Sequence, residues 1–271
     1  MSPRLLPTVA IFLLASALEA PTAPDEVAPQ RIDCSAPVDL VRLDAQFSRL
    51  IARIQKREAV TIVAIGSSST AGAGASRPET TYPSRLQAEL RAHLPGIDIR
   101  VLNRGVGGED AREMLARFDR DMRDEHPDLV LWQLGTNALL RNDGITPQAA
   151  LIREGLSRIR ETGADVVLID PQYAPKVLRD PDAEPMVALL SLIAQDAKVP
   201  VFHRFALMRH WRETREIPFE TILSPDLFHM NDWSYGCLAT NLANAIVEAV
   251  KPQRKLGEQI TTASANRYYG E

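Results

Sequence analysis

The stretch VTIVAIGSSSTAGAGAS, Val60 to Ser76, decides the fold, because an apolar run there gives way to small hydroxyl residues and glycines. Val60 to Ile65 are apolar or β-branched, which is typical of a strand buried on both faces, and Gly66 tolerates a tight turn at its end. The serines are therefore predicted at the carboxyl end of a strand. In open parallel sheets, ligands bind beyond these ends, near the point where the strand order reverses. We therefore expect the functional site here.

Apolar strands and amphipathic helices alternate along the rest of the chain. Further strands are predicted in Ile97–Leu102, Asp128–Asn137, Ala164–Asp170 and Val199–Phe202. Helices are predicted in Val38–Arg57, Tyr82–Leu94, Ala111–Arg123, Pro147–Glu161, Glu184–Ala197 and in a last segment that begins within 224–239 and ends near Val250. Residues 203–224 lack a clear period and predict a loop with a short helix. This alternation favours an α/β fold, a parallel sheet with helices on both faces.

The composition is that of an ordinary globular protein. The chain has 271 residues, of which 45% are hydrophobic and 24% are charged, and its length requires no more than one domain. The net charge of −4 provides no broad attraction to phosphate backbones, so no nucleic acid partner is expected.

The amino terminus predicts export. Arg4 precedes an apolar run from Leu5 to Leu18, in which Ala15-Ser16-Ala17 offers small residues for cleavage. We therefore interpret residues 1–36 as a signal peptide and flexible leader, 37–252 as a single folded domain and 253–271 as a polar C-terminal tail. The run is shorter than the roughly 20 apolar residues of a membrane-spanning helix, so no transmembrane domain is expected in the mature chain. An uncleaved anchor is the alternative. The predicted location is periplasmic or secreted.

Cys34 and Cys237 are the only cysteines. An even number in an exported chain predicts one disulfide, here between the amino-terminal region and the last helix. Two unpaired thiols are the alternative.

Residues suited to acyl transfer follow several of the predicted strands. A serine nucleophile needs a base, an acid that orients this base, and donors for the oxyanion. Asp226 and His229 are three residues apart and can bring a carboxylate and an imidazole together. Gly108 offers a backbone amide, and Asn137 offers a side-chain amide. Each of these residues taken alone also suits a turn, a helix cap or a surface position.

At these residues the sequence resembles the SGNH hydrolase superfamily, the GDSL-like lipases and acylhydrolases, over residues 60–250. The four blocks of that superfamily occur in its order, as GSSST at Gly66–Thr70, NRGVGG at Asn103–Gly108, GTN at Gly135–Asn137 and DLFH at Asp226–His229. The resemblance implies a three-layer α/β/α sandwich around a flavodoxin-like, parallel, five-stranded sheet.

The resemblance also assigns roles that spacing leaves open among three adjacent serines. Ser68, with glycine two residues before it and threonine two after, corresponds to the nucleophile. His229 corresponds to the base and Asp226 to the acid that orients it. The amides of Ser68 and Gly108 and the side chain of Asn137 correspond to the oxyanion hole.

The chain departs from the family pattern at two positions. Ser67 stands where the family commonly has aspartate before the nucleophile, and Ala138 stands where aspartate commonly follows GTN. Neither position transfers a proton in the family mechanism. We expect the first departure to alter the local turn and hydrogen bonding of the nucleophile loop, and so to affect rate and substrate preference more than the type of reaction.

The predicted function is that of an exported serine esterase that cleaves short acyl esters, on carbohydrate or lipid, without a cofactor. No metal site is predicted, because His203 and His210 lack further ligands nearby in the sequence. One alternative is an O-acyltransferase that acts on envelope glycan with the same triad. Another is a non-catalytic, flavodoxin-like protein that binds a ligand or glycan. The sequence leaves the oligomeric state open.

Overall fold

The computed structural model describes residues 33–44, 46–122 and 124–251. The chain divides into two compact units, residues 1–33 and 34–271, and the fold described below belongs to the second. The predicted signal peptide, most of the leader and the C-terminal tail lie outside the described residues.

Five strands form one parallel sheet in the order β2-β1-β3-β4-β5. The strands are β1 Val60–Gly66, β2 Ile99–Gly105, β3 Leu129–Gln133, β4 Asp165–Ile169 and β5 Val201–Phe202. In the centre, Val63 of β1 pairs with Leu102 of β2 on one side and with Val130 of β3 on the other. The predicted parallel, five-stranded α/β fold is confirmed.

The α-helices alternate with the strands along most of the chain. They are α1 Val38–Val41, α2 Ser48–Gln55, α3 Ser68–Ala71, α4 Tyr82–His93, α5 Ala111–Met122, α6 Thr136–Leu140, α7 Thr146–Glu161, α8 Pro175–Leu178, α9 Ala183–Ala197, α10 Arg204–Arg209, α11 Phe219–Ile222 and α12 Asp232–Val250. Helix α4 contacts α12 and β2, whereas α5, α7 and α9 contact one another in succession. The helices thus form the outer layers that an apolar parallel sheet requires.

The sheet order places three of the predicted blocks side by side. Strand β1 lies between β2 and β3, so the chain reverses its direction of travel across the sheet at this strand. Parallel strands have their carboxyl ends at one edge, where the Ser68, Gly108 and Asn137 segments follow β1, β2 and β3. The site therefore lies at the switch point of the sheet, the usual ligand position in open α/β folds.

The prediction of one helix over 38–57 is wrong, since the described residues 42–44 and 46–47 lie outside both α1 and α2. Leu43 and Phe47 are nevertheless buried, which explains why the apolar pattern continues across the break. Helix α2 begins where the Asp165 carboxylate, on β4, accepts a hydrogen bond from the Leu50 amide (2.9 Å). This cap comes from a residue 115 positions away and is not visible in the local sequence.

The prediction of a loop with a single short helix over 203–224 is also wrong. This segment contains α10, a π-helix at 210–214 and α11. The Asp170 carboxylate, at the end of β4, accepts a hydrogen bond from the Phe205 amide near the start of α10 (2.7 Å). Arg204 and Trp211 are fully buried here, so tertiary contacts stabilise helices that local periodicity did not indicate.

Cys34 and Cys237 are joined by a disulfide with a Cα to Cα distance of 5.1 Å. The bond connects the segment before α1 to α12, and Asn241 of α12 donates a hydrogen bond to the Cys34 carbonyl (3.0 Å). Among the helices in the described ranges, none has the length and apolar character needed to cross a membrane.

Candidate active site

Ser68, His229 and Asp226 form one hydrogen-bonded chain. The Nε2 atom of His229 lies 2.9 Å from Ser68 Oγ, and its Nδ1 atom lies 2.6 Å from Asp226 Oδ2. The His229 side chain is 19% exposed and the Asp226 side chain is 47% exposed. Exposure to solvent therefore increases along these hydrogen bonds, from the half-buried Ser68 to Asp226. With Nδ1 donating to the carboxylate, Nε2 can accept a hydrogen bond from the Ser68 hydroxyl.

The turn that carries Ser68 is organised around a buried glutamine. Ser68 is the first residue of α3, directly after the end of β1 and Ser67. The Oε1 atom of Gln133, at the end of β3, accepts hydrogen bonds from the Ser67 amide (3.0 Å), the Ser67 hydroxyl (3.1 Å) and the Thr70 hydroxyl (3.3 Å). Gln133 is completely buried and Ser67 is 2% exposed. The hydroxyl at position 67 therefore donates to the amide oxygen of Gln133, a hydrogen bond that an aspartate in this position could not donate when charged.

Hydrogen bonds converge on the Asp226 carboxylate from its own turn. Its Oδ1 atom accepts from Ser224 Oγ (2.6 Å) and from the amides of Phe228 (3.0 Å) and His229 (2.9 Å). Partial burial acts to raise the pKa of Asp226, but these donors and the His229 ring outweigh it and hold the pKa well below its usual range. The carboxylate is therefore charged and fixed beside the imidazole.

Three donors are available for an oxyanion. Gly108 has a φ of +84°, a left-handed conformation that favours glycine, and lies in the exposed loop after β2. Asn137 Nδ2 uses one hydrogen for the Glu109 carbonyl (2.8 Å), which leaves its second hydrogen available. The Ser68 amide belongs to the first turn of α3, whose amides have no acceptor within the helix.

The turn at residues 73–76 joins the serine segment to the His229 segment. A Cβ atom on Gly74 would lie 2.3 Å from the Met230 carbonyl oxygen and 3.0 Å from His229 Cβ, so only glycine permits this approach. Ser76 donates to the Asp232 carboxylate through its amide (2.8 Å) and its hydroxyl (2.5 Å). Tyr235 of α12 donates to the Ala73 carbonyl (2.7 Å).

Three residues that shape this site, Gln133, Gly74 and Asp232, were not among the residues predicted from the sequence. Gln133 did carry a signal, because it is a single amide at the end of the otherwise apolar run Leu129–Trp132. Gly74 and Asp232 carried none, since a glycine in a Gly/Ala loop and an acidic residue in the first turn of a helix are common.

A second histidine and carboxylate pair lies at the ends of β4 and β5. His203 Nδ1 is 3.1 Å from the buried Asp170 carboxylate, and this hydrogen bond raises the pKa of His203. In the part of the chain that the structure describes, no group of three or more His, Cys, Asp or Glu side chains is arranged to hold a metal ion.

A family model described as "Non-GDSL lipase-like family" matches residues 33–252. The chain belongs to this family. The predicted membership of the SGNH hydrolase superfamily is confirmed by this match together with the fold of the solved neighbours.

Two curated relatives of this lipase-like protein are esterases. An arylesterase from Vibrio mimicus is 33% identical over 99 residues, which cover 36% of this chain and 48% of the relative. An acetylxylan esterase from Geobacillus stearothermophilus is 34% identical over 86 residues, which cover 28% of this chain and 39% of the relative. The chain thus spans less than half the length of each.

A solved neighbour supports the fold of this family member. The crystal structure of a two-domain esterase active on acetylated mannans superposes with a TM-score of 0.63 at 20% identity, over 79% of this chain and 57% of that one. At this identity the likeness concerns the fold alone.

Proposed function

We propose that the protein is a serine esterase that hydrolyses carboxylic esters through Ser68, His229 and Asp226. The observation that carries the proposal is the 2.9 Å contact between His229 Nε2 and Ser68 Oγ, with Asp226 on the opposite ring nitrogen. Family membership and the esterase relatives point in the same direction. A ligand-binding protein would have no use for this aligned base and acid.

The reaction follows from these positions. His229 Nε2 accepts the Ser68 proton as Oγ attacks the ester carbonyl, and the resulting imidazolium then donates that proton to the leaving alcohol. Water, deprotonated by His229, then attacks the acyl-enzyme, and the imidazolium returns this proton to Ser68 Oγ as the bond to the acyl group breaks and the acid is released. The charged Asp226 stabilises the imidazolium and holds its orientation, and its low pKa keeps it charged throughout.

The negative charge that develops on the carbonyl oxygen is placed near the amides of Ser68 and Gly108 and the side chain of Asn137. Donors of this kind stabilise the transition state more than the ground state, because the oxyanion exists only there. No cofactor takes part in this mechanism.

We further propose short acyl groups on carbohydrate as the substrate. The acetylxylan esterase relative and the acetylated-mannan esterase neighbour support this choice by their described activities. We also propose export, on the amino-terminal pattern, which lies outside the described residues, and on the disulfide between Cys34 and Cys237, since such bonds persist in oxidising compartments.

The test compares ester hydrolysis by the purified wild type, Ser68→Ala and Ser69→Ala. We expect Ser68→Ala to lower kcat about 10³-fold or more, as loss of the nucleophile requires, while Ser69→Ala keeps most of the activity. Undiminished turnover in Ser68→Ala would overturn the assignment. Acetate release from acetylated xylan and mannan, set against p-nitrophenyl esters of increasing chain length, tests the substrate.

A further inference from the structure

Arg141 connects the loop that carries Gly108 to helix α6, which carries Asn137. It follows α6, and its backbone amide donates to the carbonyl of Asn137, one turn earlier (3.0 Å). Its Nη2 atom donates to the carbonyl of Gly108 (2.6 Å). One residue thus touches both donor residues without facing the nucleophile.

Two carboxylates hold the guanidinium in place. Glu113 accepts from Arg141 at 3.0 and 3.1 Å, and Asp110 lies 3.5 Å away. Both carboxylates are themselves tied to the start of α5, where Asp110 accepts from the Arg112 amide (2.9 Å) and Glu113 accepts from the Asp110 amide (2.8 Å). These contacts therefore hold the Arg141 side chain against the start of α5, although the side chain is partly exposed to solvent.

Gly108 needs such an anchor. A Cβ atom at this position would meet no atom within 4 Å, so neighbouring side chains do not enclose the residue. Of the described residues, only Arg141 donates a hydrogen bond to its carbonyl oxygen. Left-handed glycines in exposed loops have wide conformational freedom, and this contact restricts it.

We propose that Arg141 is a positioning residue of the oxyanion hole that acts through the Gly108 carbonyl. The inference rests on the proposed esterase function. Holding this carbonyl fixes the backbone of Gly108, so that its amide points to the site where the oxyanion forms. Oxyanion donors act only at about 2.7–3.1 Å from that site, so a loop free to rotate loses this contribution.

The experiment uses Arg141→Leu and Arg141→Lys, with Arg153→Leu, an exposed arginine of α7, as the matched control. Because Arg141 is 40% exposed, we expect all variants to fold, as thermal unfolding will show. We expect Arg141→Leu to lower kcat for p-nitrophenyl acetate about 10- to 30-fold with KM nearly unchanged, which is less than the 10²–10³ loss of a whole oxyanion donor. Lysine keeps the charge and one donor group but not the planar guanidinium that holds Gly108 and Glu113 together, so Arg141→Lys should recover only part of the loss. Arg153→Leu should match the wild type.

A readout independent of activity is the amide NMR signal of Gly108, which should shift or broaden in Arg141→Leu and stay in place in Arg153→Leu. Unchanged kcat in Arg141→Leu, a rise in KM alone, or an unmoved Gly108 signal would each overturn the inference. A wild type without esterase activity would overturn the proposed function and the inference together. If Ser68→Ala is inactive but Arg141→Leu is as active as the wild type, the inference fails while the proposed function stands.

Discussion

The two halves of the candidate site are held in place by different means. The nucleophile half, the segments that carry Ser68, Gly108 and Asn137, follows three neighbouring parallel strands, and its centre at Gln133 is completely buried. The base half, residues 223–232, follows no strand of the sheet and exposes 47% of the Asp226 side chain. Sheet geometry fixes the first half, whereas a few directed contacts fix the second. We therefore expect substitutions beside Gln133 to disturb buried hydrogen bonds, and substitutions at the contacts of the second half to loosen or move the His229 segment.

Among substitutions outside the proposed triad, the largest effect is expected where the base half meets the turn at residues 73–76. The Gly74→Ala variant places a methyl group 2.3 Å from the Met230 carbonyl oxygen at a φ of +88°, so the His229 segment must move. A shift of about 1 Å in a catalytic group costs about 10²-fold in rate, and we expect that loss in kcat. The left-handed backbone and the overpacking together should cost about 3 kcal/mol of unfolding free energy.

Gly163→Ala is the control for this variant. Gly163 has a φ of +75°, and a Cβ atom there would meet Arg49 at an ordinary 3.7 Å. It should lose only about 1 kcal/mol, with kcat unchanged. If Gly74→Ala lost no more activity than Gly163→Ala, the turn would not position His229. Chemical denaturation and steady-state kinetics measure both quantities.

The next effect concerns the nucleophile half. Ser67→Asp restores the family's usual residue but brings a carboxylate to within about 3 Å of Gln133 Oε1, which is an acceptor too. We expect a loss of about 2 kcal/mol in unfolding free energy, because buried acceptors are left facing each other, with kcat about tenfold lower. Ser67→Ala keeps the hydrogen bond of the backbone amide and should lose about 1 kcal/mol. A Ser67→Asp protein as stable as the wild type would show that Gln133 does not set this preference.

The smallest effect is a pH dependence in the base half. Burial acts to raise the pKa of Asp232, but the hydrogen bonds from Ser76 outweigh it and lower the pKa below its usual value. A lowered folded-state pKa means that the stabilisation is present above the unfolded pKa, about 3.9, and is lost as pH falls through the folded value. Asp232→Asn should therefore melt about 2–4 °C below the wild type at pH 7, with the gap closing below about pH 4. Asp196→Asn, an exposed position of α9, should show no such gap. A gap in Asp232→Asn that does not narrow as the pH falls from 7 into the acid range would contradict the assignment.

The same contrast explains how much of the site could be predicted from the sequence. Ser68 and Asn137 follow apolar runs whose strand character is local, so their place at strand ends is predictable. Gln133 and Arg141 act through residues far along the chain, 66 positions away for Ser67 and 33 for Gly108. Short-range patterns contain no information about such partners. The same reason accounts for the two wrong predictions, one helix over 38–57 and a loop with a short helix over 203–224. Helices α2 and α10 each begin where a backbone amide donates to a carboxylate that is distant in the sequence.

The sequence by itself determined the alternation of strands and helices, the family and the four blocks in their order, because each of these is written in neighbouring residues. The family resemblance predicted that His229 meets Ser68 across 161 positions, but only the tertiary structure decided that Gly74 permits this contact and that Arg141 reaches Gly108. The physical reason is that periodicity and turn chemistry act over one or two turns of chain. Hydrogen bonds at the edge of a sheet depend instead on which strands lie next to each other in that sheet.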